Sequence, residues 1–260
     1  VAKIVAVCNQ KGGVGKTTTA INVAASLAAA EHKTLLVDMD AQCNATTGMG
    51  VAKDDVELSV YDVITQRTMQ GKRIDAAQAI IASEQIEYLD ILPSSVDLAG
   101  ADIELVNVIA REKRLSDALD AIRDRYAYII IDSPPSLGLL TVNVLTSADS
   151  VLIPIQCEYY ALEGLAELLN TIRLVQKNLN THLVIEGALL TMYDSRLNLS
   201  RQVADDVRSC FSGKVFNTVI PRNVKLSESP SFGKPIILYD IMSAGSESYL
   251  NLAKEIMQHG

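Results

Sequence analysis

The segment Lys11-Gly12-Gly13-Val14-Gly15-Lys16-Thr17-Thr18 carries the residue types and spacing that point most directly to chemistry. It stands between an apolar run, Ile4–Cys8, and an Ala-rich stretch that starts near Lys16. Strand, glycine-rich turn and helix is the order a phosphate-binding loop requires. Glycines let backbone N–H groups converge on an anion with no side chain in the way. The helix N-terminus adds partial positive charge. Lys16 can reach terminal phosphates, and the Thr17 hydroxyl can ligate Mg²⁺. The loop departs from G-x-x-x-x-G-K-[ST] at its first glycine, where Gln10 stands, and a second lysine, Lys11, precedes the crowded glycines. Lys11 has two readings: a solvated loop lysine, or a second phosphate contact supplied by a neighbouring subunit.

Two further runs end in acids. Leu35-Leu36-Val37-Asp38-Met39-Asp40 reads as a strand closed by two carboxylates, and Tyr128–Asp132 as one closed by a third. A strand-end Asp can cap a helix, hold Mg²⁺ through water or orient an attacking water. Two such ends, in order after a phosphate loop, favour the functional reading.

Elements must position these groups. Apolar runs predict strands at Ile4–Cys8, Thr34–Val37, Ile86–Leu92, Tyr128–Ile131, Val151–Ile155, Leu183–Met192 and Val215–Ile220. Most are continuous, as strands buried on both faces of a parallel sheet are. Helices are expected around 16–30, 97–122, 139–147, 161–178, 199–211 and 245–258, with two short ones at Val60–Thr65 and Asp75–Ile81. The alternation predicts an α/β fold with a doubly wound, mostly parallel sheet flanked by helices. The site then lies at the C-terminal ends of the strands.

Composition bounds the rest. The 260 residues suit one domain, 1–260, and 48% hydrophobic content supplies a large core. No apolar run reaches the roughly 18 residues of a membrane span. No charged-then-apolar leader precedes the first strand, which predicts a cytoplasmic protein. Cys8, Cys43, Cys157 and Cys210 form no C-x-x-C pair, and Cys8 and Cys157 read as reduced core residues. His32, His182 and His259 are isolated and receive no chemistry. The net charge of −8 argues globally against nucleic acid. Between Arg196 and Lys234, however, seven basic and three acidic residues give +4 and leave −12 elsewhere. That stretch is either a solvated face or a site for anionic partners.

Asn9–Thr19, Asp38-x-Asp40 and Asp132-Ser-Pro-Pro-Ser-Leu-Gly resemble the deviant Walker A (SIMIBI-type) phosphate-loop ATPases of the ParA/MinD group. Gln156–Gly164, Leu190–Arg196 and Ile220–Pro235 favour the chromosomal ParA, or Soj, branch, and together the matches span nearly the whole chain. The resemblance implies ATP and Mg²⁺ as cofactors. It also implies an ATP-bound homodimer, non-specific double-stranded DNA and a ParB-type centromere-binding protein as partners, and a nucleoid-associated location. Lys11 resembles the signature lysine that crosses a nucleotide-sandwich dimer to the partner's phosphates, and Gly12 the glycine that permits that approach. Gly13, Val14, Gly15, Lys16, Thr17 and Thr18 would cradle the phosphates, with Thr17 on Mg²⁺. Asp40 resembles the switch residue that positions the hydrolytic water, and Asp132 the acid that meets Mg²⁺ through water. Lys11, Lys16 and Asp40 thus form the implied catalytic set. Pro221, Arg222 and Asn223 match the adenine-holding loop. Arg196 and Lys225 fall where Soj-like proteins place DNA-contacting cations, with Arg201 in the same basic stretch. Lys225 keeps the point charge of the more common arginine.

The resemblance also sets expectations by contrast. The family usually reads Asp-Pro-Gln-Gly-Asn after the switch acid, where this chain has Asp40-Ala41-Gln42-Cys43-Asn44. A rigid and a permissive residue are lost there, which puts the loop's path and the slow, partner-stimulated hydrolysis rate in question. A MinD-like membrane-positioning ATPase is the alternative, but Asn251–Gly260 offers one lysine and no basic amphipathic face. An iron–sulfur relative would need paired cluster cysteines, and a tyrosine-kinase relative a tyrosine-rich tail. Val1-Ala2-Lys3 leads directly into the first strand, which predicts no preceding helix-turn-helix domain and no sequence-specific DNA readout.

Overall fold

The computed structural model describes residues 1–66, 68–69, 72–159, 164–211 and 214–258. In chain order the strands are β1 (Lys3–Val7), β2 (Thr34–Asp38), β3 (Thr68–Met69), β4 (Lys72–Arg73), β5 (Ile81–Ala82), β6 (Leu89–Leu92), β7 (Tyr128–Asp132), β8 (Ser150–Gln156) and β9 (Val184–Thr191). The α-helices are α1 (Lys16–Ala29), α2 (Asn44–Gly48), α3 (Val60–Ile64), α4 (Ala76–Ala79), α5 (Ala101–Glu104), α6 (Arg114–Asp120), α7 (Leu139–Ser147), α8 (Leu165–Asn178), α9 (Asn198–Cys210), α10 (Val224–Glu228), α11 (Ile236–Tyr239) and α12 (Ala244–Gln258). Seven strands form one sheet in the order β5-β6-β2-β7-β1-β8-β9, and β3 and β4 pair separately. Every pairing in the large sheet is parallel except β5 with β6, so the predicted doubly wound, mostly parallel fold is the observed one.

The continuous apolar runs are explained by what each face meets. Ile4, Ala6 and Cys8 enter one core with Ile129, Ile131, Val151 and Ile153, beneath α6, α7 and α8. Val5 and Val7 enter the opposite core with Ile130 and Leu152, beneath α1 and α12. A strand buried on both faces has no polar position to alternate with. Alanines 20, 24, 25 and 28 let α1 lie close on the sheet. The short helices α3 and α4 appear where expected. At their starts, Ser59 N–H donates to the Asp62 carboxylate, and Asp75 N–H to the Gln78 side-chain carbonyl.

Two expectations are corrected. Val215–Ile220 is not a strand; only isolated parallel bridges join Ala188 to Val215 and Tyr193 to Pro221. The reason is competition. Glu255 of α12 accepts from Asn217 N–H at 2.7 Å and Thr218 N–H at 3.1 Å, and so removes the middle of the run from the ladder. The single helix expected over 97–122 is also broken. Val108 turns extended, Ala110 is left-handed at φ 56°, and a 3₁₀ turn at Arg111–Lys113 precedes α6. The expected helix start at 161–163, residues 160–163 of the Gln156–Gly164 match, and His259 lie outside the described residues. Among the described residues no helix is long and apolar enough to cross a membrane.

β9 carries one register irregularity, opposite Val151 and Leu152, and Gly187 follows it beneath the Phe216 ring. A Cβ on Gly187 would lie 2.9 Å from that ring, inside van der Waals contact, and Phe216 is buried. Gly187→Ala is therefore expected to destabilise the fold by about 1–3 kcal/mol. Urea unfolding checks this, and an unchanged midpoint would contradict the packing argument.

Candidate functional site

β1 ends at the centre of the sheet, and the glycine loop springs from its C-terminal end. Asn9 anchors the loop: its Nδ2 donates to Pro154 O on β8 at 2.7 Å, and its Oδ1 accepts from Lys11 N–H at 3.0 Å. Thr191, at the end of β9, donates its hydroxyl to Val14 O at 2.9 Å. Gly13 at φ 74° and Gly15 at φ 87° take left-handed conformations that side chains disfavour. Gly15 precedes α1 without any side-chain cap. The first amides of this 14-residue helix therefore lack an intrahelical partner and face the loop. Lys16 is buried and donates to Lys11 O at 3.2 Å. Burial holds its pKa below the ordinary lysine value, with Asp132 and Asp40 pulling the other way.

The predicted acids converge on the same place. Asp38 and Asp132 pair in register at the ends of β2 and β7, and both are fully buried. Asp38 is saturated with donors: Thr46 N–H and Oγ1–H reach its Oδ2 at 2.8 and 2.7 Å, and Asp40 N–H its Oδ1 at 3.1 Å. Burial still pushes its pKa up to about 6. Asp132 differs, because neither carboxylate oxygen has a hydrogen-bond partner of good geometry. The Thr17 hydroxyl stands close enough to pull its pKa down. Burial and the Asp38 charge nonetheless hold it well above the usual carboxylate range. Asp40 is only partly buried, accepts from Gln42 N–H at 3.0 Å and lies near enough to Lys16 to act on its charge.

Beside the loop opens a cavity of about 310 Å³, near the lower end for small-ligand sites. Gly15 and Thr18 form one wall, and Pro221, Arg222 and Asn223 another. Residues without an assigned role complete it, notably Met192, Pro230 and Tyr249. The Tyr249 hydroxyl hydrogen-bonds Thr19 at 3.2 Å. The Leu190–Arg196 run contained Thr191 and Met192 as a matched motif, yet only the fold shows them at this wall. Tyr249 sits in an amphipathic terminal helix and gave no signal.

The basic stretch lies next to that wall. Arg222 N–H donates to Tyr193 O, which brings the Pro221–Asn223 loop against the segment after β9. Arg196 forms a two-pronged pair with Asp194 at 2.9 and 2.7 Å, and Arg201 donates to Ser195 O. Lys225 pairs with Glu228 at 3.0 Å. All three cations are exposed. The structure thus brings Arg196, Arg201 and Lys225 to one edge, with Arg196 and Lys225 engaged by neighbouring acids.

The altered loop after Asp40 keeps a left-handed turn without glycine. Cys43 adopts φ 59° and ψ 33° immediately before α2, with its N–H bound to Asp40 O at 2.9 Å. Its thiol is buried and donates to Ala41 O at 3.3 Å. An L-residue in this conformation costs about 1–2 kcal/mol. Cys43→Gly and Cys43→Ala both lose the thiol, but only the first relieves the backbone. The glycine variant is expected to be more stable than the alanine variant by about 1 kcal/mol, and chemical denaturation of the two side by side checks it.

The chain resembles known proteins along nearly its whole length. The family model described as an AAA domain matches residues 2–185. The chain is 58% identical over 260 residues to the sporulation initiation inhibitor protein Soj of Bacillus subtilis, covering 99% of each. It is 55% identical over 258 residues to the chromosome partitioning protein ParA of Myxococcus xanthus, covering 99% of this chain and 89% of that one. Among solved structures, cobyrinic acid a,c-diamide synthase from Mycobacterium smegmatis, with bound ATP analog and magnesium, matches at TM-score 0.86 and 35% identity, covering 100% of this chain and 96% of that one. The phosphate loop, the paired strand-end acids and these full-length likenesses place the chain in the ParA/MinD family of deviant phosphate-loop ATPases, on its chromosomal ParA, or Soj, branch.

Proposed function

We propose that this chain, as a single ATPase domain over residues 1–260, is a partition switch. It closes into a homodimer around ATP and Mg²⁺, binds non-specific double-stranded DNA in that state, and releases it on hydrolysis. A ParB-type partner stimulates the hydrolysis, and a chromosome or plasmid is the cargo. The observation that carries the dimer is Gly12. It has no positive φ, and a Cβ built there meets nothing within 4 Å. Nothing within the protomer requires glycine at this position, although glycine costs backbone entropy. A surface kept bare beside Lys11 suits close approach by a second protomer and its phosphates.

The site fits a magnesium–nucleotide pair because of Asp132. Two buried carboxylate oxygens with no well-formed hydrogen bond and only the Thr17 hydroxyl nearby are costly, and a cation's water shell would satisfy them. The Thr17 hydroxyl would supply a direct oxygen ligand, with Asp40 at the same end. Phosphate oxygens and water would complete the magnesium's shell. Bound magnesium supplies charge neutralisation for the phosphates. The loop amides and Lys16 hold the phosphate chain, Lys11 adds charge from the other protomer, and Asp40 positions the attacking water. The 310 Å³ cavity takes the base, with Pro221, Arg222 and Asn223 along one side.

Dimerisation doubles the basic edge. If each protomer made about three phosphate contacts, the dimer would make about six, and the salt dependence of binding would steepen about twofold. The Arg196–Asp194 pair is solvent-exposed and screened by salt, so DNA phosphates can displace the acid. Light scattering tests the switch. With ATP the protein is expected to double in mass, with ADP it stays monomeric, and Lys11→Ala stays monomeric with ATP while retaining nucleotide binding. Filter binding is expected to show DNA retention with ATP, little with ADP, and at least a tenfold loss for Arg196→Glu. Equal DNA affinity in all three states would refute the switch.

A further inference from the structure

A second recess lies away from the phosphate loop, between α8, the end of α9 and the start of β9. Ile185, the second residue of β9, lines it, whereas Thr191 at the other end of that strand meets the loop. Six residues at roughly 3.3 Å each set the two about 20 Å apart. On α8, Leu169, Ile172, Arg173 and Gln176 stand at i, i+3, i+4 and i+7, and so share one helix face. That face, with Ile185 and Phe211, encloses about 190 Å³. The walls are fixed. Gln176 donates its amide to Leu183 O at 2.8 Å. Ala188 N–H donates to Lys214 O at 2.9 Å, and Lys214 N–H to Phe211 O at 3.0 Å. A recess held this way needs little rearrangement to bind.

Charge identifies the occupant. Arg173 and Lys214 line the recess, and no described acidic residue does. Among the described residues neither cation has an acidic partner, and Arg173 touches only Asn170 Oδ1, at 3.4 Å. α9 carries Asp205 and Asp206, but Asp205 pairs with Arg208 and neither lines the recess. The cavity between α3, α4 and α6 differs, because Asp75 and Asp117 stand there with Arg73 and Arg114 and balance the charge within the protein. Two unpaired cations beside Leu169, Ile172, Ile185 and Phe211 call for an anion with an apolar body. Size narrows it further. An apolar cavity of about 150 Å³ takes a benzene ring, so this volume takes a ring or short acyl chain with a small charged head. A guanidinium binds a carboxylate through two parallel N–H bonds, and the lysine adds a point charge. Inorganic phosphate would leave the apolar wall wet, and a neutral arene would leave both cations unmatched.

We propose that this recess binds a small carboxylate with an apolar body the size of one ring, its carboxylate on Arg173 and Lys214 and its body against Leu169, Ile172, Ile185 and Phe211. The site is separate from the nucleotide cavity and from the dimer proposed above, so the failure of either reading leaves the other standing.

Cys210 supplies the reporter. It is exposed and lines the recess, while Cys8, Cys43 and Cys157 are buried. Alkylation of the native protein, read by peptide mass, therefore follows occupancy at Cys210, and calorimetric titration follows binding without the thiol. Benzoate is the probe, with benzyl alcohol and inorganic phosphate for comparison. Benzoate is expected to slow Cys210 alkylation saturably in the millimolar range and to give a matching binding isotherm. The two comparison compounds are expected to do neither at equal concentration. Arg173→Ser/Lys214→Ser is expected to weaken benzoate binding about tenfold or more. Both positions are exposed, so its melting temperature is expected to match the wild type. No saturable protection and no binding heat in the wild type would overturn the proposal. So would equal binding of benzyl alcohol, or a folded double variant that binds benzoate as tightly as the wild type.

Discussion

The structure depends on charge buried at the C-terminal edge of a parallel sheet. Lys16, Asp38 and Asp132 are all buried there, at the ends of α1, β2 and β7. Buried charge is tolerated only when paired or hydrogen-bonded. Asp38 meets that condition internally, through Thr46 and the Asp40 amide. Asp132 does not: only the Thr17 hydroxyl stands near its carboxylate. The rest of the fold fixes this arrangement. β2, β7 and β1 are adjacent and in register, so that Val7, Asp38 and Asp132 end at one level.

Around that edge the chain places segments that act together. Met49 and Gly50, just past α2, touch the turn at Gly233. A Cβ on Gly233 would lie 2.7 Å from Gly50 Cα, and Gln85 donates to both Met49 O and Gly233 O. α2 begins at the Asp40 loop, and the Gly233 turn follows the stretch that carries Arg222 and Lys225. Asp40 and the cations at the basic edge therefore belong to segments packed backbone to backbone. Glycines at φ 84° and 60° permit that contact, which no side chain could share.

The broken 97–122 region shows the same economy. A continuous helix there would follow local propensity. The chain instead forms several short turns pinned by Tyr61 and Asn143. Packing against α7 decides this, because Asn143 can satisfy Arg111 O and Leu115 N–H only if the backbone departs from helix between them.

The sequence by itself determined the fold class, most elements and the phosphate loop. These rest on local signals: apolar runs of strand length, glycines before an alanine-rich helix, and acids closing strands. It also singled out Asp40, Asp132 and the Pro221–Asn223 triplet, because short motifs bring their own neighbours with them. Tertiary structure alone decided what depends on distant partners. Glu255 diverts the Asn217 and Thr218 amides and removes a strand that the pattern predicts. Thr191 and Tyr249 reach the site from elements far along the chain. Asp38 and Asp132 look alike as strand-end acids, yet one is saturated and the other orphaned. That difference arises because Thr46 folds back onto Asp38 with two donors while only the Thr17 hydroxyl approaches Asp132, a distinction of geometry that no residue spacing records.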